Sequence, residues 1–209
     1  MSDERRAHDG VIAIGRHGLD DLVEQARACT LCADALPLGP RPILSVTPES
    51  RVLIVGQAPG TRVHETGIPW NDPSGDRLRD WLGVDREAFY DARRFAILPA
   101  GLCYPGRARG GDAPPRPECA PRWHPPIRAA LRQVRLTLLV GAHAQRYDLG
   151  PARTSLSDRV RDYASHLPEY FPLPHPSPRN RRWLADRPWF DDEVVPALRR
   201  AVAEAFSDG

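Results

Sequence analysis

The sequence predicts an α/β domain built on a central, mainly parallel four-stranded sheet with helices on both faces. Four short apolar runs, Arg51 to Val55, Phe95 to Leu98, Leu136 to Val140 and Tyr170 to Leu173, each lead into turn residues. Runs of that length and composition read as strands buried on both sides. Between them the apolar spacing shifts to the helical period, and strands alternating with helices argue for a parallel sheet. A chain of 209 residues is long enough to bury one full core, so a single domain over residues 1–209 is expected.

Taken in order, residues 1–24 are expected to form an N-terminal extension, with a helix near Leu19 to Ala28. The opening MSDERRAHDG lacks the apolar stretch of a secretion signal, and no run of about 18 apolar residues occurs. A cytoplasmic protein without a membrane segment is the expectation. Leu78, Trp81 and Leu82 mark a helix after the first strand. Ile127, Leu131 and Val134 mark one before the third, and Leu156, Val160 and Tyr163 one before the fourth. A last helix is read from Asp192 to Phe206, where Val194, Val195, Leu198, Val202 and Phe206 recur at about the helical period. Residues 104–126 differ: seven prolines and three glycines with little apolar periodicity predict a loop.

Formal net charge is only +2, so a nucleic-acid surface would have to come from local clustering. Arg107, Arg109, Arg116 and Arg122 form one such group, and Arg179, Arg181 and Arg182 another. An arginine-rich composition scatters such residues anyway. All 29 basic residues are arginine. Without a lysine amine, Schiff-base chemistry at a lysine is excluded.

Four cysteines fall into two pairs, Cys29 with Cys32 and Cys103 with Cys119. In a reducing compartment disulfides are not expected, and four thiolates suit either a tetrahedral zinc or an iron–sulfur cluster. Either group would pin both ends of the 104–126 loop to the N-terminal helix. Four unligated buried cysteines are the plainer alternative.

Two motifs directly follow strands, at the end of a parallel sheet where ligands bind. They are Gly56-Gln57-Ala58-Pro59-Gly60 and His175-Pro176-Ser177-Pro178-Arg179-Asn180. Together with the cysteine pattern they resemble the uracil-DNA glycosylase superfamily over roughly residues 25–195. The cysteine spacing is similar to that of the fourth family, whose members hold a [4Fe–4S] cluster. Asp72-Pro73-Ser74-Gly75-Asp76 resembles the D-x-S-G-D stretch of the fifth family, and His175 to Asn180 the second motif of single-strand-selective monofunctional uracil glycosylases. The resemblance implies a three-layer α/β/α sandwich that flips a target nucleotide into a pocket at the strand ends. It also implies a monomeric, monofunctional enzyme of base excision repair that hydrolyses the N-glycosidic bond of uracil in DNA, with water as nucleophile.

By the same resemblance, His175 donates a hydrogen bond to the leaving uracil, and Asp72 holds the attacking water and steadies the cationic sugar. Asp72 also reads as an ordinary helix N-cap. Gly56, Gln57, Ala58, Pro59 and Gly60 would line the base pocket, and Trp70 would stack on the base. Ser177, Pro178, Arg179 and Asn180 would meet DNA: Arg179 as a wedge into the duplex, Ser177 at a flanking phosphate, Asn180 as loop support or as the next helix's N-cap. Cys29, Cys32, Cys103 and Cys119 would hold the [4Fe–4S] cluster, with structural zinc as the alternative.

Two positions depart from the family pattern. Gln57 stands where many relatives carry an acid, which raises the demand on Asp72. Pro99 stands where iron–sulfur relatives carry a base-reading asparagine, and it offers neither a side-chain polar group nor an N–H. Base discrimination is then expected from backbone groups near Ala100 and Gly101. Pro99 keeps open another substrate base, such as hypoxanthine, xanthine or mismatched thymine. Gln57 keeps open a metal-stabilised DNA-binding module without chemistry.

Overall fold

The computed structural model describes residues 18–151 and 154–207. In chain order the elements are α1 (Leu19–Arg27), β1 (Val52–Val55), α2 (Thr61–Thr66), α3 (Pro73–Leu82), α4 (Arg86–Tyr90), β2 (Phe95–Ile97), β3 (Arg107–Ala108) and β4 (Gly111–Asp112). They continue as α5 (Cys119–Ala130), β5 (Leu136–Val140), α6 (Ala142–Leu149), α7 (Leu156–Arg161), β6 (Tyr170–Leu173), α8 (Arg181–Ala185) and α9 (Val195–Phe206).

The four predicted strands form one sheet in the order β2-β1-β5-β6, every neighbour parallel. Val52 pairs with Phe95 on one side and Leu136 on the other, and Thr137 with Tyr170. Pro172 is tolerated in β6 because β6 is an edge strand, where a ladder donor is expendable. The β2 edge is covered by Ser45, whose N–H and C=O both bond to Ile97.

Side chains alternate across this sheet with the strand period, which makes the fold three layers. Val52, Ile54, Phe95, Ile97, Leu138 and Phe171 face Leu78, Trp81 and Leu82 of α3 and Leu198 and Val202 of α9. Leu53, Val55, Ala96 and Leu139 face Leu22, Val23 and Ala26 of α1 and Trp123 and Ile127 of α5. The α/β/α sandwich expected from the sequence is the fold observed.

Several boundaries differ from expectation. The described part of the expected extension, from Gly18 on, belongs to the fold: Leu19, Leu22, Val23 and Ala26 lie on one face of α1 and are buried. Residues 1–17 of it lie outside the described residues. The predicted loop 104–126 is instead a two-strand hairpin, β3 with β4, followed by the first two turns of α5. Pro121 occupies the third helical position, whose N–H has no intrahelical partner in any helix. Pro125 and Pro126 do delete two interior bonds. The burial of Trp123 and Ile127 against the sheet outweighs that loss. The helix ends at Ala130, so Val134 lies beyond it. The last helix begins as a π turn, Phe190–Val194, and continues as α9.

Candidate active site

The carboxyl ends of β1, β2 and β6 open into a cavity of about 220 Å³. All five residues of the 56–60 motif line it, as do Trp70, Asp72, Ser74, Pro99, Asp112, His175, Ser177 and Arg179. The two motifs, far apart in sequence, therefore meet at one place.

The 69–76 segment shapes one wall. Trp70 has φ +55, the left-handed region that a bulky residue adopts only when its surroundings enforce it. Gly75 permits this: a Cβ there would stand 1.7 Å from the Trp70 carbonyl oxygen. Gly56 permits the indole to lie against the end of β1, since a Cβ there would come within 2.8 Å of the ring. Arg79, 6 % exposed, donates to the Trp70 carbonyl (3.4 Å) and to Asp76 Oδ1 (2.5 Å). Tyr90 Oη donates to the Pro69 carbonyl at 2.9 Å. Asp72 caps α3, its Oδ1 accepting the Gly75 N–H at 2.8 Å, and it lines the cavity as well. The capping and the pocket positions coexist in one residue.

His175 stands beside Trp70, ring centroids 5.8 Å apart and planes tilted by 35°. Its Nδ1 accepts the Ser177 N–H at 3.2 Å, which leaves Nε2 to carry the proton of the neutral ring. Burial lowers its pKa; Asp72 and Asp112 pull in the other direction, and His143 adds to the lowering. Asn180 Nδ2 donates to the His175 carbonyl at 2.7 Å, and Arg77 donates to the carbonyls of Pro176 (3.3 Å) and Ser177 (3.2 Å). The loop is thereby fixed to α3. Asn180 takes the N-cap position of α8 without a capping side-chain bond; its side chain supports the loop instead. Arg179 donates to the Gly110 carbonyl, joining the loop to the β3–β4 hairpin. Pro178 begins a single 3-10 turn and, like Asn180, is not among the residues lining the cavity.

Ala100 and Gly101 correct an expectation. Neither lines the cavity, and both N–H groups are already used, Ala100 to the Gly56 carbonyl (3.0 Å) and Gly101 to the Gln57 carbonyl (2.9 Å). They brace the 56–60 turn, because it crosses β2's extension within hydrogen-bond reach. Pro99 does line the cavity, and its carbonyl meets His124 Nε2 at 3.1 Å.

Cys29, Cys32, Cys103 and Cys119 surround a second, smaller cavity walled also by Leu36, Leu102 and Trp123. No disulfide joins them. Cys119 Sγ accepts the Leu102 N–H at 3.3 Å, and burial pushes its thiol up to about 12. Among the described residues no three His, Cys, Asp or Glu side chains stand close enough to grip a single ion. Arg116, read from sequence as part of a basic cluster, pairs with Glu118 at 2.7 Å, whereas Arg107, Arg109 and Arg122 are exposed.

Asp112, Arg77 and His124 escape a reading of the sequence. Asp112 lies in a Gly/Pro-rich stretch with no motif, and only the β3–β4 hairpin brings its carboxylate to the cavity.

Among solved structures, a solution NMR structure described as that of a "putative Uracil DNA glycosylase" from Methanosarcina acetivorans is 16 % identical. The match covers 75 % of this chain and 93 % of that one, with a TM-score of 0.47. Among the described residues no helix is long and apolar enough to cross a membrane. A family model, the Uracil DNA glycosylase superfamily, matches residues 45–199, a span that holds both motifs, the four sheet strands and every residue named above as lining the principal cavity. The chain belongs to the uracil DNA glycosylase superfamily.

Proposed function

We propose that the protein is a monofunctional glycosylase that removes uracil from DNA by hydrolysis, as a monomer in the cytoplasm. The observation that carries this reading is a neutral histidine and a carboxylate brought to one pocket beside a tryptophan face. A base flipped into the pocket stacks on Trp70, worth roughly 1–3 kcal/mol. As the C1′–N1 bond breaks, its electron pair moves to the base, and the Nε2–H of His175 stabilises the developing anion. One preorganised donor of this kind contributes about 3 kcal/mol. Asp72 keeps Oδ2 free of its capping bond, and this oxygen orients water and offsets the positive charge on the sugar. Water then adds at C1′, and the proton it gives up neutralises the departing base anion, leaving free base and an intact backbone at an abasic site. With no lysine in the chain, an imine at a lysine side chain plays no part. Ser177, Pro178 and Asn180 hold the loop against DNA, and Arg179 fills the gap left by the flipped nucleotide.

The four cysteines are the proposed ligands of a [4Fe–4S] cluster. Their convergence on one cavity supports it, with structural zinc as the alternative for the same four thiolates. The cluster would tie α1 and α5 to the segment behind the pocket, a structural role. A purified protein that is colourless and carries zinc overturns this assignment.

Pro99 favours a second reading, the same chemistry on hypoxanthine, xanthine or mismatched thymine. End-labelled DNA bearing one uracil, hypoxanthine or xanthine, incubated with protein and then treated with alkali, separates the two. Cleavage at uracil alone, and only after alkali, is expected. Absence of abasic sites from every substrate would leave a DNA-binding module without chemistry.

A further inference from the structure

We infer that the side-chain Oε1 of Gln57 is the group that recognises the target base, by accepting the ring N–H of a lactam. The inference rests on the glycosylase reading above and names the specificity-determining residue of that pocket.

Deamination changes a base in a definite way. Uracil presents a ring N–H where cytosine presents a bare nitrogen lone pair, and hypoxanthine differs from adenine in the same respect. A site that separates product from parent therefore needs a fixed acceptor at this position. A glutamine amide carries a donor and an acceptor and serves only if its orientation is locked. Here it is locked. Gln57 Nε2 donates to the Ala113 carbonyl at 2.9 Å, and that oxygen can only accept, so Oε1 must occupy the other side of the amide. Among the described residues no hydrogen bond to Oε1 is formed, and the atom is not sealed from solvent. Gln57 lines the principal cavity, and its main chain is held too, its carbonyl accepting the Gly101 N–H.

The competing readers on this wall are used up. Pro99 has no polar side chain, and the N–H groups of Ala100 and Gly101 are bonded to the 56–60 turn. The β3–β4 hairpin thus gains a purpose: it carries the chain to Ala113, whose carbonyl aims the amide. A parent base would set its lone pair against Oε1 and leave a buried acceptor unpaired, a mismatch that rejects it by roughly 10- to 100-fold.

The test measures single-turnover excision from single-stranded DNA carrying deoxyuridine, N3-methyldeoxyuridine or deoxycytidine, with the unsubstituted protein and with Gln57→Ala. The unsubstituted protein should release uracil at least about 10-fold faster than N3-methyluracil and cytosine. Gln57→Ala removes the acceptor and vacates its volume, so this preference should collapse toward parity. A merely structural role would slow all three substrates alike and leave the preference intact, which overturns the inference. Equal release of uracil and N3-methyluracil by the unsubstituted protein overturns it without any variant. Release of no base from any of these DNAs, nor from DNA with hypoxanthine or xanthine, removes the glycosylase reading itself, a result distinct from excision without N–H preference.

Discussion

The proposed chemistry gives Asp72 two tasks, one for each oxygen. Oδ1 closes the N-terminus of α3 through the Gly75 N–H, and that bond leaves Oδ2 for the proposed work on water. The two roles separate by substitution. Asparagine caps as well as aspartate, so Asp72→Asn should leave the melting temperature nearly unchanged while excision falls by about 100-fold or more. Asp72→Ala should lose the same activity and about 1 kcal/mol of stability besides. Thermal melts beside single-turnover rates check this, and full activity in Asp72→Asn would remove the carboxylate from the chemistry. His175 carries a pH consequence. Burial holds its pKa below the ordinary value of 6.5, so the neutral ring persists at neutral pH. Protonation in acid puts a second N–H at Nδ1, facing the Ser177 N–H. Excision should therefore be flat near neutrality and decline only below pH 6.5; a decline beginning above that value contradicts the assignment. Asp72 and His175 were legible in sequence because each sits in a compact motif. Asp112 and the locked amide of Gln57 were not, because their positions depend on the β3–β4 hairpin, a contact between segments about 56 residues apart.

At the scale of elements, the turn before α3 is a strained device. Trp70 keeps φ +55 because Gly75 leaves room for its carbonyl and Arg79 grips that oxygen. Gly75→Ala would drive a methyl into backbone, where no side chain can yield. It should cost more than about 2 kcal/mol and displace Trp70, visible in the melt and in tryptophan fluorescence. An unchanged variant would mean the turn is not held as described. The 175–180 loop is a second device, fixed from α3 by Arg77 and from the hairpin side by Arg179. Arg179→Ala should slow excision from duplex DNA more than from single strands, since only a duplex leaves a gap to fill. Equal loss on both contradicts the wedge. α5 is where composition misled the sequence reading. Its prolines read as loop, yet one occupies a position that needs no donor, and Trp123 and Ile127 bury a helical face that proline content does not reveal.

For the whole molecule, the sheet order β2-β1-β5-β6 brings the ends of β1 and β6 into one cavity, while α1 and α5 close the layer that holds the cysteines. His124 links the two regions. It projects from α5, which begins at Cys119, and its Nε2 meets the carbonyl of Pro99 in the wall of the principal cavity. It is 1 % exposed, and burial, aided by Arg128, lowers its pKa to about 4. From pH 6.5 down to about 4 the unfolded chain takes up a proton here that the folded protein refuses. Acidification through that window therefore costs stability, on the order of 3 kcal/mol, which is fully present above pH 6.5. His124→Gln, which keeps a donor for Pro99 but does not titrate, should flatten the fall in melting temperature across this window. An identical pH dependence would mean His124 is not buried neutral. The pattern of the four sheet strands was readable because both faces of that sheet are buried and its strands are short, mainly apolar runs. The wiring between the cysteine cavity and the pocket was not, because it consists of single bonds to backbone atoms that leave no periodic trace.

The most direct measurement is the free base released in a single turnover from DNA containing one uracil, quantified by mass spectrometry for the unsubstituted protein, Asp72→Asn and His175→Ala. Free uracil and an uncut abasic strand are expected from the first, with release slowed by at least about 100-fold in each variant. Release undiminished in both variants, or none from the unsubstituted protein, would contradict the assignment of this pocket as a uracil-excising site.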